Sequence, residues 1–364
     1  MKKTQILVST GIYPPSVGGP ATYSKLLFDE LPGHDIDVKV VSFDEVRSLP
    51  KVIRHIVFFI KVLFRSKGCQ IIYAQDTVSV GLPSLLASRI YRKKFWLRVP
   101  GDYAWEQSRQ RYGIKDSIDD FQLRKYSVRV EFLRSIQNFV ANGASQIIVP
   151  SEYFKRLVSG WVKNPNKVKR IYNGIFLDEY KKDVNDKNII LSSGRLVPWK
   201  GFDVLIEVIA ELSREYDLEL HIAGDGPDKA ALQEKIESMG LSDKVKILGF
   251  LDKPEMKREL SRATMYVLNT GFESFSFAVV EAMWFSLPVI TTNVGNLSEI
   301  VDDGKSGVLV EYNNKTEIVT AIEKVLRGHE YAKSLSINAR EKARNFSIDR
   351  TLDELTNTIN KCVS

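Results

Sequence analysis

Four charged side chains, Glu273, Glu281, Arg195 and Lys200, bound the chemistry open to this sequence. Glu273 and Glu281 fall in Gly271-Phe-Glu-Ser-Phe-Ser-Phe-Ala-Val-Val-Glu281. The first lies in a loop leaving the apolar run Met265–Asn269, the second about a turn and a half into the helix expected to follow. A strand-to-helix turn aims backbone N–H groups and a positive dipole end at one spot, which makes an anion site. Carboxylates on either side of it can grip hydroxyls of a ligand whose centre is a phosphate. Further upstream, Ser193-Gly-Arg-Leu-Val-Pro-Trp-Lys-Gly201 also lies between a strand, Asn188–Ser192, and a helix beginning near Phe202. Arg195 offers a planar fork for phosphate oxygens and Lys200 a mobile point charge. Either pair alone also reads as ordinary solvated residues. In one α/β unit, they suit a ligand with ribose on one side, diphosphate in the middle and a hexose on the other: a nucleotide-sugar.

The elements that must position these groups alternate. Strands are expected at Gln5–Thr10, Asp37–Phe43, Gln70–Gln75, Phe95–Val99, Gln146–Pro150 and Val168–Tyr172 in the first half. Helices are expected between them at Ala21–Leu31, Lys51–Ser66, Leu82–Tyr91 and Phe121–Asn142. The second half repeats the pattern with strands Asn188–Ser193, Leu218–Ala223, Lys244–Gly249, Met265–Asn269, Pro288–Thr292 and Gly307–Val310. Short apolar strands alternating with amphipathic helices predict parallel sheets with helices on both faces. The fold class is therefore α/β, with two doubly wound Rossmann-like domains facing a central cleft, joined near Asn173–Lys187. The expected division is 1–172, 173–348, and a last helix from 349 to 364 packing back toward the first domain. Ligands of such sheets bind outside the carboxyl ends of the strands, where both motifs sit.

The chain has 364 residues and a net charge of +7, which hides an asymmetry. Residues 1–170 hold 28 Lys/Arg against 14 Asp/Glu; residues 171–364 hold 24 against 31. Between Val46 and Gly101 eleven basic residues face one acid, Asp76. The basic half is expected to meet something anionic: a membrane surface, a phosphorylated acceptor or a nucleic acid. A nucleic-acid face would want interleaved aromatics for stacking, which this half lacks, and the acidic half would repel a strand. Two distant cysteines, an N-terminus running straight into a strand and no long apolar run predict a cytoplasmic protein without leader or span. Asp35-Ile-Asp37 has the Asp-x-Asp form of a metal site but stands in a turn far from the other motifs, so no metal is expected. No phosphate-binding Gly-x-x-x-x-Gly-Lys-Ser/Thr loop is present, which counts against an ATPase.

Five segments carry a resemblance over nearly the whole chain: Gly11-Ile-Tyr-Pro-Pro-Ser-Val-Gly-Gly-Pro-Ala-Thr-Tyr23, Tyr172-Asn-Gly-Ile175, Gly194–Gly201, Ala223-Gly-Asp-Gly-Pro227 and Glu273–Glu281. In this order the sequence resembles a retaining, nucleotide-sugar-dependent glycosyltransferase of family 4, with the GT-B fold (glycosyl transferases group 1). The resemblance implies a hexosyltransferase using a UDP- or GDP-sugar and no metal or other cofactor. Its acceptor would be a saccharide, free or lipid-linked, in assembly of a surface glycan such as lipopolysaccharide, capsule or exopolysaccharide. It implies that Arg195 and Lys200 neutralise the donor diphosphate, that Glu273 faces the transferred sugar and that Glu281 holds the ribose. The amides of Phe275, Ser276 and Phe277 would approach the phosphates, with Gly18 and Gly19 doing so from the first domain. Gly224, Phe250 and Leu251 complete the implied donor site, and the acceptor would be read by loops such as Gly101–Asp120. The chain departs from the pattern at Ser276, where Gly is usual, at Asp102, where a sugar-facing His is usual, and at Val294–Glu299, which has one Gly instead of two. Asp102 is a candidate for bonding a sugar hydroxyl or aiding the acceptor, and an ordinary turn aspartate is the alternative. A nucleotide-sugar epimerase of the same fold and a nucleic-acid-binding protein are the competing readings.

The segment Lys51–Ser66 places Lys51, Arg54, His55, Lys61 and Arg65 on about a third of the helix circumference. Phe58 falls inside that arc and the remaining, apolar arc is expected to face the sheet. Basic residues around an aromatic suit an anionic bilayer interface. Lys51, Arg54, Phe58, Lys61 and Arg65 are thus the expected contact with the inner face of the cell membrane.

Overall fold

The computed structural model of the chain describes residues 3–16, 18–183 and 188–363, with the backbone alone for Lys51. Residues 184–187 of the expected linker, and Val17 of the first motif, lie outside the described residues. The chain divides into two compact units, residues 1–172 with 351–364, and residues 173–350.

In the first unit, β1 (Thr4–Thr10), β2 (Ile36–Ser42), β3 (Ile71–Ala74), β4 (Lys94–Arg98), β5 (Gln146–Val149) and β6 (Val168–Arg170) form one parallel sheet in the order β2-β1-β3-β4-β5-β6. The helices between them are α1 (Gly19–Glu30), α2 (Lys51–Arg65), α3 (Gly81–Ile90), α4 (Tyr103–Tyr112), α5 (Ile118–Leu123), α6 (Val128–Gly143) and α7 (Glu152–Ser159). In the second, β7 (Asn188–Ser193), β8 (Leu218–Ala223), β9 (Val245–Gly249), β10 (Met265–Leu268), β11 (Val289–Thr292) and β12 (Val308–Val310) follow the order β12-β11-β10-β7-β8-β9, again all parallel. Its helices are α8 (Phe202–Leu212), α9 (Lys229–Ser238), α10 (Lys253–Arg262), α11 (Phe277–Trp284), α12 (Leu297–Ile300), α13 (Lys315–Arg327) and α14 (His329–Ala343). The last helix, α15 (Ile348–Val363), contributes residues 351 onward to the first unit. There Thr351 Oγ1 donates to the Tyr172 carbonyl (2.9 Å), Lys169 Nζ to Thr358 Oγ1 (2.7 Å) and Lys94 Nζ to the Cys362 carbonyl.

Every expected strand is present, with ends moved by no more than two residues. Fully buried parallel strands are continuous apolar runs, and β3 and β10 are of this kind; β8 is fully buried too but carries Glu219 and His221. The helices differ more. Gly101–Asp120, expected as a loop, contains α4, which starts on an Asp102 cap and ends at Gly113 in the left-handed region (φ 66°). The single helix expected over Phe121–Asn142 is broken between α5 and α6, where Arg124 (ψ 155°) and Ser127 (ψ 156°) are extended.

The largest correction concerns α2, whose two faces are the reverse of the expectation. Phe58 and Val62 are fully buried, and the Phe58 ring stands edge-on to Phe43 at 5.1 Å. The basic arc turns inward with them. Lys61 Nζ and Arg65 Nη1 donate to Glu45 at 2.7 and 2.6 Å, and the Arg54 guanidinium lies 5.6 Å from the Phe43 ring centroid. Burial of Glu45 opposes its ionisation. Hydrogen bonds from Arg65, Lys61 and the Ser42 N–H prevail and hold its carboxyl down at about 2. Glu45, on the turn after β2, accepts from both cations, whose long stems reach it along the protein surface. Phe58 is therefore not a membrane-facing residue, and Lys61 and Arg65 are engaged within the protein. The side chain of Lys51 lies outside the described part.

Candidate active site

In the second unit the strand order reverses between β7 and β10, which pair directly, Met265 with Ile190 and Tyr266 with Leu191. The loops leaving their carboxyl ends are the two motif segments, so a crossover in the sheet makes neighbours of residues distant in sequence. Such a switch point is where α/β sheets hold ligands. Polar contacts stitch the two loops together. The Gly271 N–H donates to the Trp199 carbonyl (2.7 Å), and the Asn269 amide donates to the Gly201 carbonyl (3.0 Å) and to Asn313 Oδ1 (2.8 Å). Gly201 sits at φ 52°, and a Cβ there would overlap the amides of Asn269 and Asn313. The loop therefore requires glycine at that place.

On this scaffold Lys200 Nζ donates to Glu273 Oε1 in an ion pair that is mostly buried on both sides. Arg195 is exposed and makes no hydrogen bond or ion pair among the described residues, so the structure brings Lys200, not Arg195, to Glu273. Two glycines bring the surrounding loops close. A Cβ on Gly224 (φ 150°), after β8, would overlap the Gly194 carbonyl, and one on Gly295 (φ 57°), after β11, would overlap the carbonyl of Glu273. Gly295 belongs to the segment that has one glycine where two are usual. The glycine that remains is the one the backbone of Glu273 requires.

Ser276 is buried and stands at the cap position of α11 without capping it by its side chain. Phe275 is buried against Phe277 (5.2 Å) and Phe346 (5.8 Å), so these rings pack the loop that carries Glu273. Glu281, on α11, is pushed up to about 6 by burial, against a lowering from Lys253 and Lys257 on α10. Burial raises Tyr266 also, with Glu273 and Glu281 adding to it and the Ser193 hydroxyl, 2.9 Å away, opposing. Both glutamates thus act on one buried phenol. Phe250, exposed, and Leu251, half-buried, follow β9.

Gly18 and Gly19 open α1 in the first unit, Gly18 at φ 148°. Asp102 lies in that unit as well, and its carboxylate is taken. It accepts from the Trp105 N–H (3.1 Å), Gln137 Nε2 (3.1 Å) and Gln122 Nε2 (2.8 Å), and it is buried. In the structure it caps and anchors α4, as the alternative reading of an ordinary turn aspartate expects. Asp35 closes a turn at φ 61°. Among the described residues no cluster of His, Cys, Asp and Glu is arranged to hold a metal ion.

The first unit has its own cavity, of about 1400 Å³, at the carboxyl ends of β1, β3 and β4. Gln75, Asp76 and Glu106 line it on one side, with Arg47, Arg54 and Arg111 elsewhere on its wall. Glu106 is pushed up to about 7 by burial, with Asp102 and Asp76 adding to the effect. Burial raises Asp76 too, opposed by the N–H groups of Val80 and Val78, which donate to it at 3.2 and 2.9 Å. Gln75 is buried with neither amide atom hydrogen-bonded. Sequence reasoning passed over these groups, although Asp76 as the single acid among eleven bases was a signal.

Residues 176–342 match the family model described as glycosyl transferases group 1. The chain is 32% identical over 215 residues to an uncharacterized glycosyltransferase of Methanocaldococcus jannaschii, 58% of each chain. It is 30% identical over 174 residues to the alpha-D-kanosaminyltransferase of Streptomyces kanamyceticus, 47% of this chain and 45% of that one. The matches thus span 58% and 45% of these relatives' lengths. Among solved structures, the sucrose-phosphate synthase of Thermosynechococcus elongatus superposes with a TM-score of 0.83 at 17% identity, covering 99% of both chains. Anabaena HepE in complex with UDP and glucose gives 0.78 at 19% identity, covering 98% of this chain and all of that one. These likenesses establish the GT-B fold, with two Rossmann-like units.

Proposed function

We propose that the protein is a glycosyltransferase that moves a hexose, with retention of configuration, from a UDP- or GDP-sugar to a saccharide acceptor. The second unit would take the donor and the first the acceptor. The observation that carries this reading is the Lys200–Glu273 pair at the β7/β10 switch point, inside the stretch that matches the family model. The sugar C1–O bond breaks and its electron pair leaves with the diphosphate. An acceptor hydroxyl oxygen bonds to C1 and its proton passes to the departing phosphate oxygen. The step needs fixed positive charge at the leaving oxygens, supplied by Lys200, Arg195 and the amides opening α11. Glu273 faces the sugar, and Glu281 accepts from the ribose hydroxyls. Gly224, Phe250 and Leu251 line the rest of the donor in the second unit, and no metal takes part. The polyhydroxyl acceptor meets Gln75, whose unbonded amide suits sugar hydroxyls, with Asp76 and Glu106 on the same wall.

The known relatives' names support sugar transfer, and the UDP complexes of the Anabaena neighbour support a uridine donor. We assign the enzyme to surface-glycan assembly on a lipid-linked acceptor, at the inner face of the cell membrane; among the described residues no helix is long and apolar enough to cross it. A thermal-shift panel of UDP-, GDP- and ADP-sugars, followed by hydrolysis assays of any hit, tests the reading. A raised melting temperature with a UDP- or GDP-sugar and slow release of free sugar are expected. No shift with any of them would reject it.

A further inference from the structure

The turn of α2 that brings Lys61 and Arg65 to Glu45 and buries Phe58 and Val62 leaves an apolar face outside. Val52 (72% exposed), Ile53, Ile56, Ile60 and Phe64 (61%) point to solvent. At 100° per residue they share an arc of roughly 120°. An amphipathic helix of a globular domain normally turns such a face to the core. The neighbouring helices continue it. α2 packs along α3, which exposes Leu86 and Ile90 (58%), and α3 packs against α6, which exposes Phe132 and Phe139. Contiguous apolar surface on this scale marks an interaction site.

The charge around it selects the occupant. Neither α2 nor α3 contains an acidic residue. Lys67 Nζ lies 5.1 Å from the Phe64 ring centroid, the Arg89 guanidinium 5.3 Å from that of Phe139, and Arg92 is exposed beside Ile90. A second copy of the chain would bring two such cationic rims together, which like-charge repulsion opposes. An anionic bilayer complements both the apolar centre and the basic border. The patch is also continuous with the cavity of the first unit, because Val52 and Ile56 line that cavity beside Arg47, Arg54 and Arg111.

We infer that the outward face of α2, extended by α3 and α6, docks this protein on an anionic membrane surface. Ile56, Ile60 and Phe64 enter the acyl boundary, and Lys67, Arg89 and Arg92 meet the headgroups. Resting further on the proposed acceptor reading, the cavity mouth at Val52 and Ile56 admits a saccharide whose anionic lipid anchor stays in the bilayer. The three arginines of the wall meet its phosphate.

Flotation of the full chain with phosphatidylcholine vesicles, with and without phosphatidylglycerol, tests the docking without donor or acceptor. Its outcome is therefore independent of whether sugar transfer is the right activity. The wild type should float with the anionic vesicles and bind less as salt rises. Ile56→Ser/Ile60→Ser/Phe64→Ser should weaken binding by at least about tenfold, with circular dichroism and melting unchanged because all three are exposed. Lys67→Glu/Arg89→Glu/Arg92→Glu, which leaves the apolar face intact, should do the same and serves if the first variant fails to fold. Absence of wild-type binding, or equal binding by both variants, would overturn the inference. So would a wild-type dimer in sedimentation velocity that the serine variant converts to a monomer.

Discussion

Glu281 is proposed to hold the donor ribose, and its burial makes it a liability to the fold. Its carboxyl titrates at about 6 in the folded protein against 4.5 for an unperturbed glutamate. The folded state therefore binds a proton more tightly than the unfolded chain between those values. Its contribution is fully present below pH 4.5 and is lost as pH rises through 6, so near neutrality the ionised group costs the fold about 2 kcal/mol. Glu281→Gln removes that cost while keeping the shape. In a unit of the size of residues 173–350, each kcal/mol moves the melting temperature by about 2–4 °C, so the variant should melt about 4–8 °C higher near pH 7.5. At about pH 4 the difference should vanish, because the wild-type carboxyl is then protonated in both states. Calorimetry at the two pH values measures this. Donor titration of the same variant should show affinity reduced about tenfold, since a neutral amide replaces a charge-assisted acceptor. A variant no more stable than wild type near pH 7.5 would refute the burial argument. A stabilised variant with unchanged donor affinity would leave that argument standing and remove Glu281 from the ribose.

Lys200→Met should lower transfer about 10²–10³-fold and cost about 1–3 kcal/mol of stability, because it strands Glu273 in a mostly buried place. Adding Glu273→Gln should restore the melting temperature but not transfer; a double variant as unstable as the single would show that the pair is not what holds the loops. Gly295→Ala must accommodate φ 57° and a Cβ overlapping the Glu273 carbonyl. It should cost about 1–3 kcal/mol and raise the donor KM, and unchanged melting and KM would refute the assigned backbone approach. Glu106, raised to about 7, is destabilising above that pH by the same sign argument as Glu281. Glu106→Gln should stabilise by about 3 kcal/mol near pH 8 in urea unfolding and make no difference below about pH 4.5.

The sheets were legible because most of the buried parallel strands are short, largely apolar runs with turn residues on both sides, a mostly local signal; β8, with Glu219 and His221 in its buried run, is the exception. The nearness of Lys200 to Glu273 was legible at one remove. Two loops at carboxyl ends of strands in one doubly wound unit share a rim, and the β7–β10 pairing makes them adjacent. Helix α4 was missed because its ten residues, Tyr103–Tyr112, contain Arg, Gln and Glu with little apolar periodicity, and the Asp102 cap looked like an ordinary turn residue. Missing α4 also hid Glu106, whose raised carboxyl depends on burial beside Asp76, a residue 30 positions earlier.

The reversed face of α2 shows the limit of periodicity most clearly. A helical pattern divides residues into two arcs but does not say which arc is inside. The usual tie-breaker, apolar toward the core, points the wrong way here. Glu45 overrides it. Placed on a 3-10 turn after β2, it accepts from both Lys61 and Arg65, and those cations carry Phe58 and Val62 down onto Phe43. Exposed ion pairs of this kind are worth about 0–1 kcal/mol each, whereas leaving five apolar side chains in water forgoes a larger burial. The protein in isolation has therefore not minimised its exposed apolar area, and a surface that covers the face of α2 would recover what the fold leaves undone. Glu45→Gln tests the same logic from inside: it loosens the hold on Lys61 and Arg65, and it should lower the stability of the first unit while letting α2 roll its apolar arc inward. Weakened vesicle binding by that variant would tie the orientation of the helix to Glu45, and binding equal to wild type would show that the orientation has another cause.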